Sequence, residues 1–276
     1  MKKLAVLIDF TSVCEIAIEH AAIIARYTLS PLILVNISDP SKIEEEKEIK
    51  ERIKTHARLL DREGIPYLAK IGYGEFFSTI PNFLKEIGAD FIIVGTHGIK
   101  GIADVSYGLN ILRLINSLNL PALIVQGHSE APAEGYDQIL IPNVLTNSAV
   151  TDADRIKRFA QLFKAKITLL QYARTEVEAK TGEDIYTKQF QELGYPLTYD
   201  FEIVSTYIHS YYRSILQYAA IEDVNLLVWT TPSEGEHFDQ EDKENLILNR
   251  LGIPVLYLPV NNKSAQHPNG QPQITK

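Results

Sequence analysis

Residues 89–108 read ADFIIVGTHGIKGIADVSYG: an acidic turn, an apolar run, then glycines at Gly95, Gly98, Gly101 and Gly108. The run Phe91 to Val94 is short, isoleucine-rich and without polar alternation, the pattern of a parallel strand covered on both faces. Glycines between such a strand and a helix let the backbone approach a ligand closely, and the free amides there favour an anion. The stretch therefore predicts a strand-to-helix unit of an α/β fold whose turn can cradle phosphate without any cationic side chain.

Apolar runs of the same kind recur at Leu4 to Ile8, Leu32 to Ile37, Tyr67 to Ile71 and Ala122 to Val125. Helical patterns separate them at Cys14 to Tyr27, Lys42 to Glu63, Phe76 to Ile87 and Leu109 to Leu118. The order β-α-β-α-β-α-β-α-β predicts a doubly wound, open, parallel five-stranded sheet. Thr11 or Ser12 is placed to cap the first helix, and Gly64 and Gly88 follow helices where a left-handed C-cap is wanted. Pro66 and Pro121 stand at strand starts, where a missing amide costs least.

The same grammar returns in the second half. Asp90 and the run Phe91 to Ile93 correspond to Asn225 and Leu226 to Val228, and Leu32 to Val35 corresponds to Ile167 to Leu170, each pair 135 positions apart. Leu120-Pro121-Ala122-Leu123-Ile124 resembles Ile253-Pro254-Val255-Leu256-Tyr257 with a small slip of register. Two copies of one fold are expected: residues 1–127, a connector over 128–137 within the small and charged stretch Gly127 to Asp137, and residues 138–260. The last stretch, 261–276, has one aliphatic residue, Ile274, and reads as a disordered tail.

A chain of 276 residues, 45% hydrophobic and 22% charged, suits two globular units. A formal charge of −8 offers no broad positive field for a nucleic-acid backbone or an anionic membrane, and no window is apolar enough for a spanning helix. Asp9 interrupts the first apolar run too early for a signal-peptide core, so a cytoplasmic location is expected. The one cysteine, Cys14, has no partner for an internal disulfide and reads as part of the first helix rather than as a catalytic thiol.

Gly95-Thr96-His97-Gly98, nine further residues and Gly108 resemble the G-x2-G-x9-G-[S/T] nucleotide motif of the universal stress protein family. Asp9 at the end of the first strand, the strand before the glycines and Pro121 share the resemblance, and with the repeat it extends to Val260. It implies tandem Rossmann-like sheets of the adenine nucleotide alpha hydrolase type, in a form that pairs through edge strands at Ala122 to Val125 and Val255 to Leu258. It also implies ATP or a related adenine nucleotide, with magnesium, as ligand. Asp9 and the neighbouring Phe10 would lie by the adenosine, Val35 beside the base, and Gly95, Thr96, His97, Gly98 and Gly108 at the phosphates. The family's final hydroxyl is replaced by Leu109, which removes one donor, and the adjacent Asn110 carries an amide that can stand in for it.

Each of these residues also has a plain structural reading. The glycines can serve tight packing, Asp9 can end a strand or cap a helix, and His97 has no carboxylate partner assignable from sequence. In the second half the aligned turn, Trp229 to His237, lacks the spaced glycines and gains Pro232, Glu234 and Glu236. Asp9 aligns there with Val144, or with Asn143 if the register slips by one. Both departures point to a lost nucleotide site. His237 with Glu234, Glu236 and Asp239 reads as a solvated acidic loop rather than a metal site, and Tyr207, Tyr211 and Tyr212 near His209 read as packing.

Three functional classes remain: a nucleotide-responsive stress protein, a ligand-free scaffold that assembles further as a homodimer, and, last, a nucleotide-using enzyme. No Walker-type sequence, nucleophile elbow or paired-carboxylate motif supports the last.

Overall fold

The computed structural model describes residues 1–96, 113–144, 150, 152–204, 211–230 and 240–259. The first half runs β1 (Leu4–Leu7), α1 (Ser12–Thr28), β2 (Leu32–Ser38), a 3-10 turn (Pro40–Glu45), α2 (Glu46–His56), α3 (Arg58–Glu63), β3 (Tyr67–Tyr73), α4 (Phe76–Ile87), β4 (Phe91–Thr96), α5 (residues 113–118) and β5 (Ala122–Gln126). The second half runs β6 (Gln138–Val144), α6 (Ala153–Phe163), β7 (Lys166–Ala173), α7 (Glu176–Glu192), β8 (Leu197–Ile203), α8 (Tyr211–Ile221), β9 (Leu226–Thr230), α9 (Gln240–Ile247) and β10 (Val255–Leu258).

The two tandem five-stranded sheets expected from the sequence join edge to edge into one ten-stranded sheet ordered β3-β2-β1-β4-β5-β10-β9-β6-β7-β8. Every neighbouring pair is parallel except β5 and β10, which pair antiparallel with Ile124 opposite Val255, Leu123 opposite Leu256 and Ala122 opposite Tyr257. These are the two edge strands anticipated to pair. Their apolar side chains and open ladders cover one another.

The internal repeat is visible in hydrogen bonds. The Asp90 carboxylate accepts from the Lys2 and Lys3 amides, and the Asn225 amide oxygen accepts from the Gln138 amide at the same place in the second half. Pro121 and Pro254 each offer their carbonyl to a strand amide, of Ile92 and Leu227. Leu7 pairs with Val35 and Pro142 with Leu170, so strand register makes Val144, not Asn143, the counterpart of Asp9.

Side chains alternate between two buried layers that both run across the seam. One layer packs β1, β2 and β6 against α1, α2 and α6; the other packs the opposite face against α4, α8 and α9. The single helix expected over Lys42 to Glu63 is broken into three pieces. At Ala57 the backbone leaves helical geometry (ψ 10°) and the amide is shared between the Ile53 and Lys54 carbonyls. Ile49, Ile53, Ala57 and Leu60, spaced along one helical face, stay buried across the turn. Gly64 and Gly88 adopt the left-handed caps expected of them, with φ of 67° and 68°.

The connector is pinned rather than loose. Tyr136 is fully buried, bonded to His20 Nδ1 of α1 at 2.7 Å, and packed edge-on against Phe163 of α6 at 5.3 Å. His20 is fully buried too, and its Nε2 has no partner. Burial pulls the imidazole from its ordinary 6.5 down to about 4, so it is neutral in the folded protein. Below about pH 6.5 the unfolded chain takes up a proton that the folded chain refuses until about pH 4, and stability falls roughly tenfold in equilibrium constant per pH unit across that window. Urea midpoints measured on either side of pH 6 should therefore separate in the native protein and draw together in His20→Gln.

Candidate functional site

In the order β3-β2-β1-β4-β5 the chain leaves β1 to one side for β2 and β3, then crosses to the other side for β4 and β5. The helical connections diverge above the carboxyl ends of β1 and β4, and an open α/β sheet binds ligands in the crevice this leaves. Val6 lies opposite Ile93; continuing that register brings Asp9 level with Thr96. The two strand ends named by the sequence motif are thus neighbours across the crevice.

Asp9 is exposed. Its Oδ1 accepts from the Thr11 amide at 3.0 Å and from the Thr11 hydroxyl at 2.7 Å. Thr11 is the N-cap of α1, but its side chain makes no capping bond, because the hydroxyl turns back to Asp9. The carboxylate therefore builds the turn that starts α1, while Oδ2 has no protein partner among the described residues. Phe10 carries that turn at φ 66°, a left-handed backbone that a bulky residue adopts at a cost of about 1–2 kcal/mol. Arg52 of α2 lies 3.9 Å over the Phe10 ring and holds it in place.

Val35 is buried beneath the crevice, and its carbonyl accepts from the Ile8 amide at 2.8 Å. Next to it stands Asn36, which sequence reading passed over. Its amide donates to the Ile8 carbonyl at 2.7 Å and its oxygen accepts from the Ser38 hydroxyl at 2.6 Å, tying β2 to the end of β1. A lone amide inside the apolar run LILVNIS was the available signal.

Gly95 lies under the first turn of α1. A Cβ there would come within 2.6 Å of Val13 Cγ1 and 3.0 Å of the Val13 carbonyl oxygen. The glycine thus brings the amino end of α1 down onto β4, beside the crevice, where the helix dipole favours negative charge. Thr96 is 3% exposed and its hydroxyl has no hydrogen-bond partner among the described residues. Buried hydroxyls are seldom left so. Cys14, one turn into α1, is held neutral: burial, then the Asp9 charge, push its thiol up to about 11. His97, Gly98, Gly108, Leu109 and Asn110 lie outside the described residues.

At the matching crevice of the second half, Thr230 takes the place of Gly95 by the 135-residue repeat, and Val144 the place of Asp9. Asn143 donates to the Tyr186 hydroxyl, and Tyr199 donates to Gln171, which stands where Asn36 does in the first half. Asn143 and Gln171 are thus satisfied by tyrosines of the same half. The acidic turn over 231–239, with His237, and the residues Tyr207 and His209 lie outside the described residues; Tyr211 packs edge-on against Tyr172 at 5.4 Å.

Residues 1–126 match the Usp family, the universal stress protein family. The first half of the chain is a universal stress protein domain. The second half repeats the fold, and solved structures align over nearly the whole chain. A universal stress protein from Archaeoglobus fulgidus covers 94% of this chain with 98% of its own, at a TM-score of 0.67 and 11% identity. A functionally unknown protein from Pseudomonas aeruginosa covers 94% with 93% of its own, at 0.66 and 17%. The cytoplasmic domain of a prokaryotic cation chloride cotransporter covers 93% with 94% of its own, at 0.53 and 10%. At such identities the likeness is one of fold. No curated protein matches the chain.

Among the described residues no helix is long and apolar enough to cross a membrane, and no three metal-ligating side chains cluster. The close seating of α1 gives a direct test. Gly95→Ala should destabilise the protein by about 1–3 kcal/mol in denaturant unfolding, because the added methyl meets helix backbone as well as a side chain. Adding Val13→Ala should recover only part of that loss.

Proposed function

We propose that the first half binds ATP or a related adenine nucleotide as a regulatory ligand in the crevice between β1 and β4. The observation that carries the reading is the pairing, across that crevice, of an exposed carboxylate, Asp9, and a buried hydroxyl, Thr96, with one carboxylate oxygen and the hydroxyl unpartnered among the described residues. A carboxylate repels phosphate but accepts well from a ribose hydroxyl, so Asp9 suits the sugar. Thr96, the amino end of α1 and the glycine-bearing stretch through Gly98 to Gly108 suit the phosphates, with Asn110 in place of the family's hydroxyl and magnesium to neutralise the ligand's charge. The backbone at Val35 and Asn36 suits the edge of the base. In this reading the nucleotide acts as a signal. The second half, with Val144, Thr230 and the carboxylates Glu234 and Glu236, takes none.

A second reading, a cytoplasmic scaffold without ligand, is favoured by the seam: β5 and β10 are used within the chain, so a homodimer would have to form through the outer strands β3 and β8, where Phe201 and Ile203 are exposed.

Thermal unfolding of the full chain separates the two. At a hundredfold excess over Kd, magnesium-ATP adds about 2.7 kcal/mol, a rise of several degrees in Tm. Asp9→Ala should weaken binding by about tenfold or more, the value of a charge-assisted hydrogen bond. No shift at millimolar ATP, together with no adenine nucleotide released from freshly purified protein in mass spectrometry, would leave the scaffold.

A further inference from the structure

On one face of the sheet α1 and α6 meet over the seam strands, and Tyr27 of α1 packs edge-on against Phe163 of α6 at 4.7 Å. The 135-residue repeat relates the two ends of the groove that flanks this crossing. At one end the groove is filled: the Tyr136 ring is fully buried against Phe159 and Phe163, and its hydroxyl meets His20. At the other end the repeat puts Met1 where Tyr136 stands and Arg155 where His20 stands. Met1 is 40% exposed and leaves the position unfilled.

What remains there is a cleft of about 520 Å³, floored by Phe91, Phe159, Leu256 and Leu258, with Arg155 and Arg158 along one side. That volume lies in the range of small-molecule sites, roughly 300–1,000 Å³. Phe91 and Phe159 stack at 6.3 Å and are almost fully buried, so the floor is a packed apolar layer. Arg155 reaches Asp152 at 3.1 Å and the Pro259 carbonyl at 3.0 Å, both through Nη1. Its Nε and Nη2 have no protein partner among the described residues. Arg158 is mostly exposed and contacts Asp154 at the rim.

We propose that this cleft is a second ligand site, independent of the nucleotide crevice, and that it takes a small aromatic carboxylate. The ring lies as Tyr136 lies at the opposite end, on the apolar floor, and the carboxylate takes the free edge of the Arg155 guanidinium where Tyr136 offers its hydroxyl to His20. The exchange of a neutral imidazole for a permanently charged, planar fork is what changes the preferred head group from hydroxyl to carboxylate. The protein thus carries its own template for the occupant.

The probe is 4-ethylbenzoate, which matches the tyrosyl side chain with a carboxylate in place of the hydroxyl; its neutral control is 4-ethylbenzamide. Titration calorimetry on the full chain should show the acid binding about tenfold or more tighter than the amide. Methyl resonances of Leu256 and Leu258 should shift on addition. Arg155→Gln should erase the preference for the acid. Since that change also leaves Asp152 without its cation, Arg158→Glu, at an exposed position, is the parallel variant and should weaken the acid severalfold while leaving the amide unchanged. Equal binding of acid and amide, absence of acid binding at millimolar concentration, or shifts confined to methyls away from the seam would each overturn the proposal.

Discussion

The antiparallel pairing of β5 with β10 is the constraint from which the rest of the molecule follows. A parallel five-stranded sheet ends in a strand whose amides and carbonyls are open on one side, and here that strand is apolar from Ala122 to Val125. Joining two such edges satisfies both ladders and makes one sheet of two. It also imposes a twofold relation, because antiparallel partners point the two halves in opposite directions. The crossing of α1 and α6, the path of the connector and the existence of a groove with two equivalent ends are consequences of that relation.

Under this symmetry the two halves keep what holds the sheet and differ in what faces the ends of its strands. Asp90 and Asn225 do the same task with different chemistry, each holding the first residues of a strand. Asp9 and Val144, Gly95 and Thr230, Asn36 and Gln171 do not. The contrast has a physical basis. A strand start must satisfy buried amides in both copies, whereas a polar residue at the strand ends can be left for a ligand or bonded within the protein, as Asn143 is by Tyr186 in the second half.

The strands and the repeat were legible in the sequence because buried parallel strands leave continuous apolar runs, and β1, β2, β4, β5 and their counterparts have them. The left-handed caps at Gly64 and Gly88 were legible for a similarly local reason. The break at Ala57 was not, since every residue around it favours helix and only the geometry of the sheet decides where the chain must turn. Tyr136 was hidden inside a stretch whose composition, GHSEAPAEGYD, reads as connector; its burial depends on Phe159 and Phe163, which come later in the chain. At the crevice, Asp9 and Gly95 were picked out by spacing. That Gly95 yields room to Val13, and that Asn36 ties β2 to the end of β1, are tertiary facts with no local signature beyond a polar residue in an apolar run.

The helix α1 joins these features mechanically. Its amino end rests on Gly95 through Val13 and starts from the Asp9 turn; His20, two turns on, holds Tyr136; Tyr27, in its last turn, borders the open cleft. Seventeen residues of α-helix span about 25 Å and behave as one rigid body. The crevice and the groove are separate sites bounded by different ends of the same element, so one helix sequence has to serve both.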